Sequence, residues 1–406
     1  MAALAPVVLV LALACSQDRG DPAVSPTPTA ADPRPSPAAP APTVSEPVPV
    51  STGSQPPAAP AGPPPELDTS IASVPLDEVF FDTFRGGFIR LSEASQDDID
   101  RLRDAIEPVY SPEYDDVEGG RWLNDDDAVV GYVSGSGAYA YPIKILNLHE
   151  IVNDVIDGVP VLVTYCPLCA SGAVYSRELD GQVLLFGNTS ALYQSDLVMY
   201  DHQSGSYWFQ VIGEAIVGPA TGRRLTLLPS MTTPWAAWTG LHPDTKVLKR
   251  PGPGARYRSD PFLGYEDRVN SGQFAFPVTE SKLDDRLQAG DRVLAVEVEG
   301  SHKAYALNGV REEAINDVVG HQEIVVIVRL EGPTGAAYSR TLGDRTLSFT
   351  LSDRVLKDVE TGSLWDDSGR AISGPLAGSQ LKPVPSRTSF WFSLAGSLPG
   401  VELYAP

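Results

Sequence analysis

The sequence predicts a mainly β fold with a few short helices, built as two similar lobes that arise from an internal duplication. The first observation behind this prediction is a series of short apolar and β-branched segments separated by Gly, Asp and Pro, which is typical of strands joined by hairpins. The second is a self-similarity between the two halves of the chain. We therefore predict a first lobe over residues 67–245 and a second lobe over residues 246–406.

Two pairs of matched segments reveal the repeat. "AVYSREL", which starts at Ala173, returns as "AAYSRTL", which starts at Ala336, so the offset is 336 − 173 = 163. "GSYWFQVIGEAIVGP" returns as "GSLWDDSGRAISGP", in which Trp208 corresponds to Trp365 at an offset of 365 − 208 = 157. Because these residues occur in both copies, they indicate a role in the fold rather than in a site.

The individual elements follow from local patterns. Three helices are predicted: one capped by Ser95 with Asp98 three residues later, one or two turns in "ILNLHEIVND", and one that Thr233 caps with Pro234 in its first position. Alternating or continuous apolar runs predict strands over residues 129–133, 159–165, 173–178, 182–186 and 206–211.

The N-terminus predicts export. The apolar run in "MAALAPVVLVLALAC" is too short to cross a bilayer, and it ends in small residues before Cys15, as in a lipoprotein signal peptide over residues 1–15. No Lys or Arg precedes the run, so a plain secretory signal, in which Cys15 is incidental, stays open. Residues 16–66 are rich in Pro and Ala and predict a disordered tether. The predicted location is extracytoplasmic, in the periplasm or at the cell surface, with a lipidated Cys15 in the membrane.

Charge excludes one class of partner. The chain has 30 Lys and Arg against 52 Asp and Glu, a formal net charge of -22, which repels the phosphates of nucleic acids. The sequence specifies no particular protein or small-molecule partner.

Two of the three cysteines, Cys166 and Cys169, form a Cys-Pro-Leu-Cys turn between two predicted strands. No helix follows them, so the dipole that activates a thioredoxin-like cysteine is missing. A structural or labile disulfide is one remaining use, since oxidising compartments preserve disulfides. Metal ligation is the other, because this turn resembles the half-sites of rubredoxins and zinc ribbons, in which backbone amides stabilise the thiolates.

A metal would need further ligands besides the two sulfurs. We rank His149 first, then Met199, then His202, and we expect the His149 ring to reach both sulfurs. Two thiolates with an imidazole suit a single zinc, copper or iron ion, and an added thioether favours copper(I). Each residue also has a structural interpretation: His149 as a helix cap or core hydrogen-bonding group, Met199 as core filling, and His202 as an exposed turn residue.

The second lobe lacks this constellation. "TYCPLCASGAVYSR" in the first copy corresponds to "IVRLEGPTGAAYSR" in the second, and Glu312 stands opposite His149 at the offset of 163. The hairpin therefore does not need the cysteines to form. Any site built on them belongs to the first lobe alone.

Several segments together resemble a known family: "YPIKILNLHEIVND", "VLVTYCPLCASGAVYSR", "SDLVMYDHQSGSYWFQVIGEAIVGP" and "RYRSDPFLGY". Over residues 67–406 the chain resembles an exported prokaryotic family catalogued as domain of unknown function 3179. The resemblance implies that His149, Cys166 and Cys169 lie in family motifs, and it implies no activity.

Two functions remain open. One is metal binding by the first lobe, for storage, delivery or redox work; the other is an extracytoplasmic binding or scaffolding module whose Cys pair is a disulfide. No nucleophile elbow, P-loop or dinucleotide fingerprint occurs, so no catalytic residue is assigned and the question of enzymatic activity stays open.

Overall fold

The computed structural model describes residues 62–135, 137–308, 311–330, 332 and 334–405. All of them belong to one compact unit, Ser51–Pro406. The predicted signal peptide, Cys15 and almost all of the predicted tether lie outside the described residues. Within the described part of the chain, no helix is long and apolar enough to cross a membrane.

Short strands dominate the described residues and helices are few, which confirms the prediction of a mainly β fold. Up to residue 249 the elements are β1 (Val79–Asp82), β2 (Phe88–Arg90), α1 (Gln96–Leu102), β3 (Tyr114–Asp115), β4 (Ala128–Ser134), β5 (Gly137–Pro142), α2 (Ile143–His149), β6 (Ile151–Ile156), β7 (Val159–Cys166), β8 (Ser171–Ser176), β9 (Glu178–Leu179), β10 (Gln182–Val183), β11 (Phe186–Tyr193), β12 (Asp196–Asp201), β13 (Tyr207–Phe209), β14 (Glu214–Val217), β15 (Leu227–Leu228), β16 (Met231–Pro234), α3 (Trp235–Leu241) and β17 (Lys246–Leu248).

The later elements are α4 (Tyr265–Asn270), β18 (Arg292–Val298), β19 (Ser301–Ala306), β20 (Glu313–Val319), β21 (Gln322–Arg329), β22 (Thr334–Ser339), β23 (Thr341–Leu342), β24 (Arg345–Thr346), β25 (Phe349–Ser352), β26 (Val355–Asp358), β27 (Leu364–Trp365), β28 (Ala371–Ser373), β29 (Ser386–Phe390), α5 (Trp391–Ser397) and β30 (Glu402–Leu403). Single 3-10 turns lie at Leu76–Glu78, Gly254–Tyr257 and Glu280–Lys282.

The predicted helices form, with one correction at a cap. Ser95 caps α1 through a complete capping box with Asp98. The third helix, α3, begins one residue later than predicted, with Pro234 rather than Thr233 at its N-cap, and no side chain caps it. The prediction of Thr233 as the cap was wrong because this residue lies in β16, where it pairs with Val129 of β4.

The largest sheet takes strands from both sides of the predicted boundary at residues 245/246. Its order is β30-β19-β18-β29-β8-β7-β6, with β15 also paired to β8. The two halves join where Thr388 of β29 pairs with Gly172 of β8. A side chain on Gly172 would lie 3.1 Å from both Thr232 Oγ1 and Val130 Cγ2, so glycine permits this close approach. The two halves thus lie side by side in one sheet and join at the β29–β8 pair.

The remaining strands form smaller sheets. One has the order β14-β13-β12-β11-β1-β2, a second β16-β4-β5-β17-β3, a third β20-β21-β22 and a fourth β25-β26-β27-β28, and β9-β10 and β23-β24 are two-stranded. Most are antiparallel hairpins, as the turn spacing predicts.

Two asparagines that stand at the sequence offset of 316 − 153 = 163 make the same pair of side-chain hydrogen bonds. In the first half, the Asn153 amide donates to the Phe186 carbonyl at 2.8 Å and accepts from the Phe186 N–H at 2.8 Å. In the second half, the Asn316 amide donates to the Phe349 carbonyl and accepts from its N–H, both at 2.7 Å. Each asparagine therefore ties its strand to the first residue of a later hairpin, β11–β12 in the first half and β25–β26 in the second.

A tryptophan bond recurs in the same way between Trp208 and its counterpart Trp365. The Trp208 indole N–H donates to Asp201 at 2.8 Å, and the Trp365 indole N–H donates to Asp358 at 2.9 Å. Both tryptophans are buried, at 0% and 3% exposure, so they belong to the core, in line with the role in the fold that the repeat predicts.

The sequence offset between the two halves is 316 − 153 = 163 for the asparagines and 365 − 208 = 157 for the tryptophans, because the hairpins between them differ in length. Phe186 and Asp201 are 201 − 186 = 15 positions apart, whereas Phe349 and Asp358 are 358 − 349 = 9 positions apart. The β11–β12 hairpin is therefore longer than β25–β26 by 15 − 9 = 6 positions. The extra length of β11 pairs with β1, from Val79↔Tyr193 to Phe81↔Ala191.

The recurring asparagine bonds allow a matched stability test. Asn153→Ala removes both partners of the buried Phe186 backbone and should lower the free energy of unfolding by about 3 kcal/mol. Asn316 is exposed, so water can replace its amide, and Asn316→Ala should cost about 1 kcal/mol. Urea unfolding followed by tryptophan fluorescence measures both. An equal or larger loss in Asn316→Ala would contradict this account of the bonds.

Candidate metal centre

The cysteine turn is a tight, buried connection between β7 and β8. Cys166 ends β7, and the Cys169 N–H donates to the Cys166 carbonyl at 3.3 Å. Ala170, directly before β8, takes a left-handed conformation with φ at 47°. Both cysteines are free thiols, exposed at 1% and 0%, with their Sγ atoms 3.4 Å apart. The turn thus presents two sulfurs side by side in the interior.

The tip of the long β11–β12 hairpin lies against this turn. Gln194 and Ser195 both have positive φ, 52° and 60°, as in a two-residue type I′ turn. The Cys169 thiol donates to the Ser195 carbonyl at 3.1 Å. The next residue, Asp196, completes a cluster: one ligand atom each of Cys166, Cys169 and Asp196 lie within 4.8 Å of one another.

Asp196 is a buried carboxylate with one free oxygen. Its Oδ2 accepts from the Ser393 hydroxyl at 2.6 Å, and Ser393 belongs to α5 of the second half. Among the described residues, Oδ1 has no partner at hydrogen-bond distance, while the Cys166 and Cys169 thiols and the Leu197 N–H lie close enough to lower the pKa of the carboxyl. Burial raises the pKa of this carboxyl to about 6. The cluster therefore contains a buried carboxylate oxygen, Oδ1, without a hydrogen-bond partner at bonding distance.

Burial also raises the pKa of both thiols. The pKa of Cys166 rises to about 11, and that of Cys169 lies well above its usual value, in each case chiefly because the site excludes water. Such thiols stay protonated at neutral pH and are poor nucleophiles. A bound metal ion would stabilise the thiolates that the protein alone does not.

A cavity of about 270 Å³ opens beside Cys166, and a second carboxyl lies in its wall. This is Glu150, which is 9% exposed and accepts from the Asn188 amide at 2.7 Å. Burial raises the pKa of Glu150 to about 7, and the nearby charges of Asp196 and Asp82 add to the effect. The thiol cluster therefore borders a pocket with an acid of unusually high pKa.

The structure does not place His149 at the sulfurs, so the expected third ligand is corrected. Its Nδ1 is 2.7 Å from the Glu107 carbonyl and its Nε2 is 2.9 Å from the Tyr257 hydroxyl, which engages both ring nitrogens. The cause is the end of α2: Glu150 follows His149 in the left-handed conformation, with φ at 58°, so the chain turns there. Glu150, and not His149, lines the pocket with Cys166.

The other two predicted ligands lie elsewhere or serve the core. Met199 is fully buried in the apolar cluster that also contains Cys166 and Cys169. His202 is half-buried, with its Nε2 3.0 Å from the Tyr110 hydroxyl and its ring centroid 4.8 Å from that of Tyr200. Neither histidine belongs to the group of possible ligands around the thiols.

Sequence reasoning missed Asp196 and Glu150. A signal for Asp196 was present in the sequence, because the offset between matched segments falls from 163 before the β11–β12 hairpin to 157 after it. This difference shows that the hairpin containing Asp196 is longer than its counterpart in the second half. Glu150 gave no comparable signal, because its burial depends on the turn after α2.

Comparison with known proteins identifies the family. A family profile described as "Protein of unknown function (DUF3179)" matches residues 103–399. The chain belongs to the DUF3179 family. No curated protein matches this DUF3179 chain, and no solved structure does. The matched range includes Glu150, both thiols, Asp196 and Ser393, so the cluster lies within the part of the chain that defines the family.

The raised pKa of Glu150 predicts how stability depends on pH. A carboxyl with a folded pKa near 7 and an ordinary unfolded pKa stabilises the fold at low pH and loses this contribution as pH rises through 7. Glu150→Gln lacks the ionisation. In chelator-treated protein, the free energy of unfolding of Glu150→Gln minus that of wild type should therefore rise by about 3 kcal/mol between pH 4.5 and pH 8.

Urea unfolding at several pH values measures this difference. Glu178→Gln, which removes an exposed carboxyl on β9, provides the baseline for the loss of a surface charge. A constant difference between Glu150→Gln and wild type across the range would contradict the burial of an ionisable Glu150.

Proposed function

We propose that the protein binds one transition-metal ion through the Cys166 and Cys169 thiolates and the Asp196 carboxylate, with a fourth coordination position directed to the pocket beside Cys166. The observation that carries this proposal is the cluster of three ligand atoms within 4.8 Å. The unpartnered Oδ1 of Asp196 supports it, since a buried carboxylate oxygen without a donor is costly unless a cation neutralises it.

The spacing of the sulfurs suits a tetrahedral ion. Zn–S bonds of about 2.3 Å at a tetrahedral angle place two sulfurs about 3.8 Å apart. The Sγ atoms here are 3.4 Å apart, so a shift of a few tenths of an ångström would accommodate the ion. Two thiolates with a carboxylate favour zinc, with iron(II) next, and copper(I) would need a thioether instead.

The second half supports a cation at this end of the hairpin. Arg329 takes the place of Cys166 in the matched segment of the second half. Its guanidinium donates to both oxygens of Asp367, at 2.8 and 2.6 Å, and lies 3.5 Å from Glu312. One half therefore fills this position with a guanidinium, and in our proposal the other fills it with a metal ion.

We further infer that the two halves arose by duplication and that the site was elaborated in the first. The recurring asparagine and tryptophan bonds support the common origin. Two features of the first half alone, the cysteine turn and the hairpin extension, meet at one point. Independent differences that converge on a buried cluster favour a site over neutral divergence.

The ligand set favours a metal ion with an open coordination position over a purely structural ion. Structural zinc ions in proteins have four protein ligands, whereas catalytic zinc ions have three and bind water or substrate at the fourth position. Three protein ligands beside a pocket correspond to the second arrangement. We propose that small molecules reach the ion through this pocket.

Metal content tests the proposal. Protein purified without added metal should contain close to one zinc per chain by inductively coupled plasma mass spectrometry. The double variant Cys166→Ser, Cys169→Ser should lose it, and Asp196→Asn should bind at least about tenfold more weakly, because a neutral amide oxygen is a poorer ligand.

His149→Gln is the matched control and should keep its metal, because His149 bonds to Glu107 and Tyr257. Loss of metal in His149→Gln with retention in Asp196→Asn would replace our ligand set with an imidazole-based one. Protein without metal, whose thiols react only after reduction, would favour the alternative of a binding module with a disulfide.

We also propose export and a lipid anchor at Cys15, on the support of the N-terminal sequence alone. Cys15→Ser should move the protein from the detergent phase to the aqueous phase in Triton X-114 partitioning of cells that express the full chain, since the acyl chains supply the membrane affinity. Wild-type protein in the aqueous phase would contradict the anchor and favour a plain secretory signal.

A further inference from the structure

The pocket beside Cys166 combines an aromatic wall with acidic groups. Phe84, Phe262 and Phe276 contribute rings, and aliphatic side chains cover much of the rest. Its volume of about 270 Å³ suits a ligand of small molecular size. A ligand that fills this pocket therefore has a largely apolar surface.

The charged side chains of this pocket are all anionic. Asp82 and Glu150 both lie in the wall, close enough for the charge of Asp82 to act on Glu150, and Asp196 acts on it as well. Among the described residues that line the pocket, none is Lys, Arg or His. An anionic ligand would therefore meet carboxylates without a compensating cation. A cationic ligand would relieve their repulsion.

Asn147 provides a second and independent observation. It is 5% exposed and lines the pocket, and its Nδ2 donates to Asp260 Oδ1 at 2.9 Å, which fixes the orientation of the amide. Its Oδ1 has no donor among the described residues. A buried acceptor of this kind is costly to leave unpaired. Asn147 also lines a neighbouring cavity with Glu107, His149 and Arg256, and a donor that a ligand brings into either cavity can pair with this oxygen.

We propose that the pocket binds a small organic ammonium ion, a primary amine carrying an apolar group of about the size of a benzyl ring. The ammonium would lie between Asp82 and Glu150 and donate to Asn147 Oδ1. The ring would pack among the three phenylalanines, whose faces also attract a cation. The inference deepens the proposed function, since the same pocket gives access to the metal position, and it rests on that function for any reaction of the amine.

Calorimetric titration tests the ligand class. The full chain, as purified, is titrated with benzylamine, benzyl alcohol and benzoate at pH 7.5, three ligands of similar shape that differ in charge. Benzylamine, as its ammonium, should bind at least about tenfold more tightly than the other two. Glu150→Gln should weaken its binding by about fivefold or more, and Glu178→Gln should leave it unchanged.

Several outcomes are decisive. Equal or tighter binding of benzyl alcohol or benzoate would overturn the inference, and so would no binding of any of the three. If Glu150→Gln does not fold, Asp82→Asn replaces it, and the comparison of the three ligands on wild type stands unaffected.

Metal per chain, measured on the same samples, separates the two proposals. Selective amine binding by protein without metal would support the proposed ammonium site and contradict the proposed metal centre. Protein that contains metal but does not bind the amine would support the metal centre and overturn the inference about the ligand.

Discussion

The contact between the β11–β12 turn and the cysteine turn is the constraint on which the site depends. Both turns have a restricted backbone conformation, with positive φ at Gln194 and Ser195 in one and at Ala170 in the other. Each turn can therefore move only together with the two strands that it joins. The Cys169 thiol binds the Ser195 carbonyl and thereby sets Asp196 beside both sulfurs. A shorter hairpin, as in β25–β26, would leave the cysteines without their carboxylate.

Both halves of the chain are needed to hold this contact. The Phe390 N–H donates to the Cys169 carbonyl at 2.7 Å, and Ser393 on the following helix donates to Asp196. These residues reach the site because β29 pairs with β8 where the two halves join in the largest sheet. The first half supplies the candidate ligand atoms, and the second half supplies hydrogen bonds that orient them. The site is therefore a property of the whole described fold rather than of one sequence-continuous lobe.

Much of the fold could be predicted from local patterns, and the site only in part. Strand periodicity located β4 and β7, and the capping box located α1, because these signals are local. The pairing of β29 with β8 is a long-range contact that no local pattern encodes. Cys166 and Cys169 were identified by their spacing. Asp196 was not, because its position depends on hairpin length, and His149 was misplaced because the turn at Glu150 directs the chain elsewhere.

X-ray absorption at the K edge of the bound metal tests the central claim most directly, because it reports the atoms that surround the ion. Our account predicts two sulfur neighbours at about 2.3 Å and oxygen neighbours at about 2.0–2.2 Å, without the outer-shell scattering of an imidazole ring. In Asp196→Asn the sulfur shell should remain while the oxygen shell changes. A spectrum without sulfur, or with two sulfurs and an imidazole, would contradict a centre built on Cys166, Cys169 and Asp196.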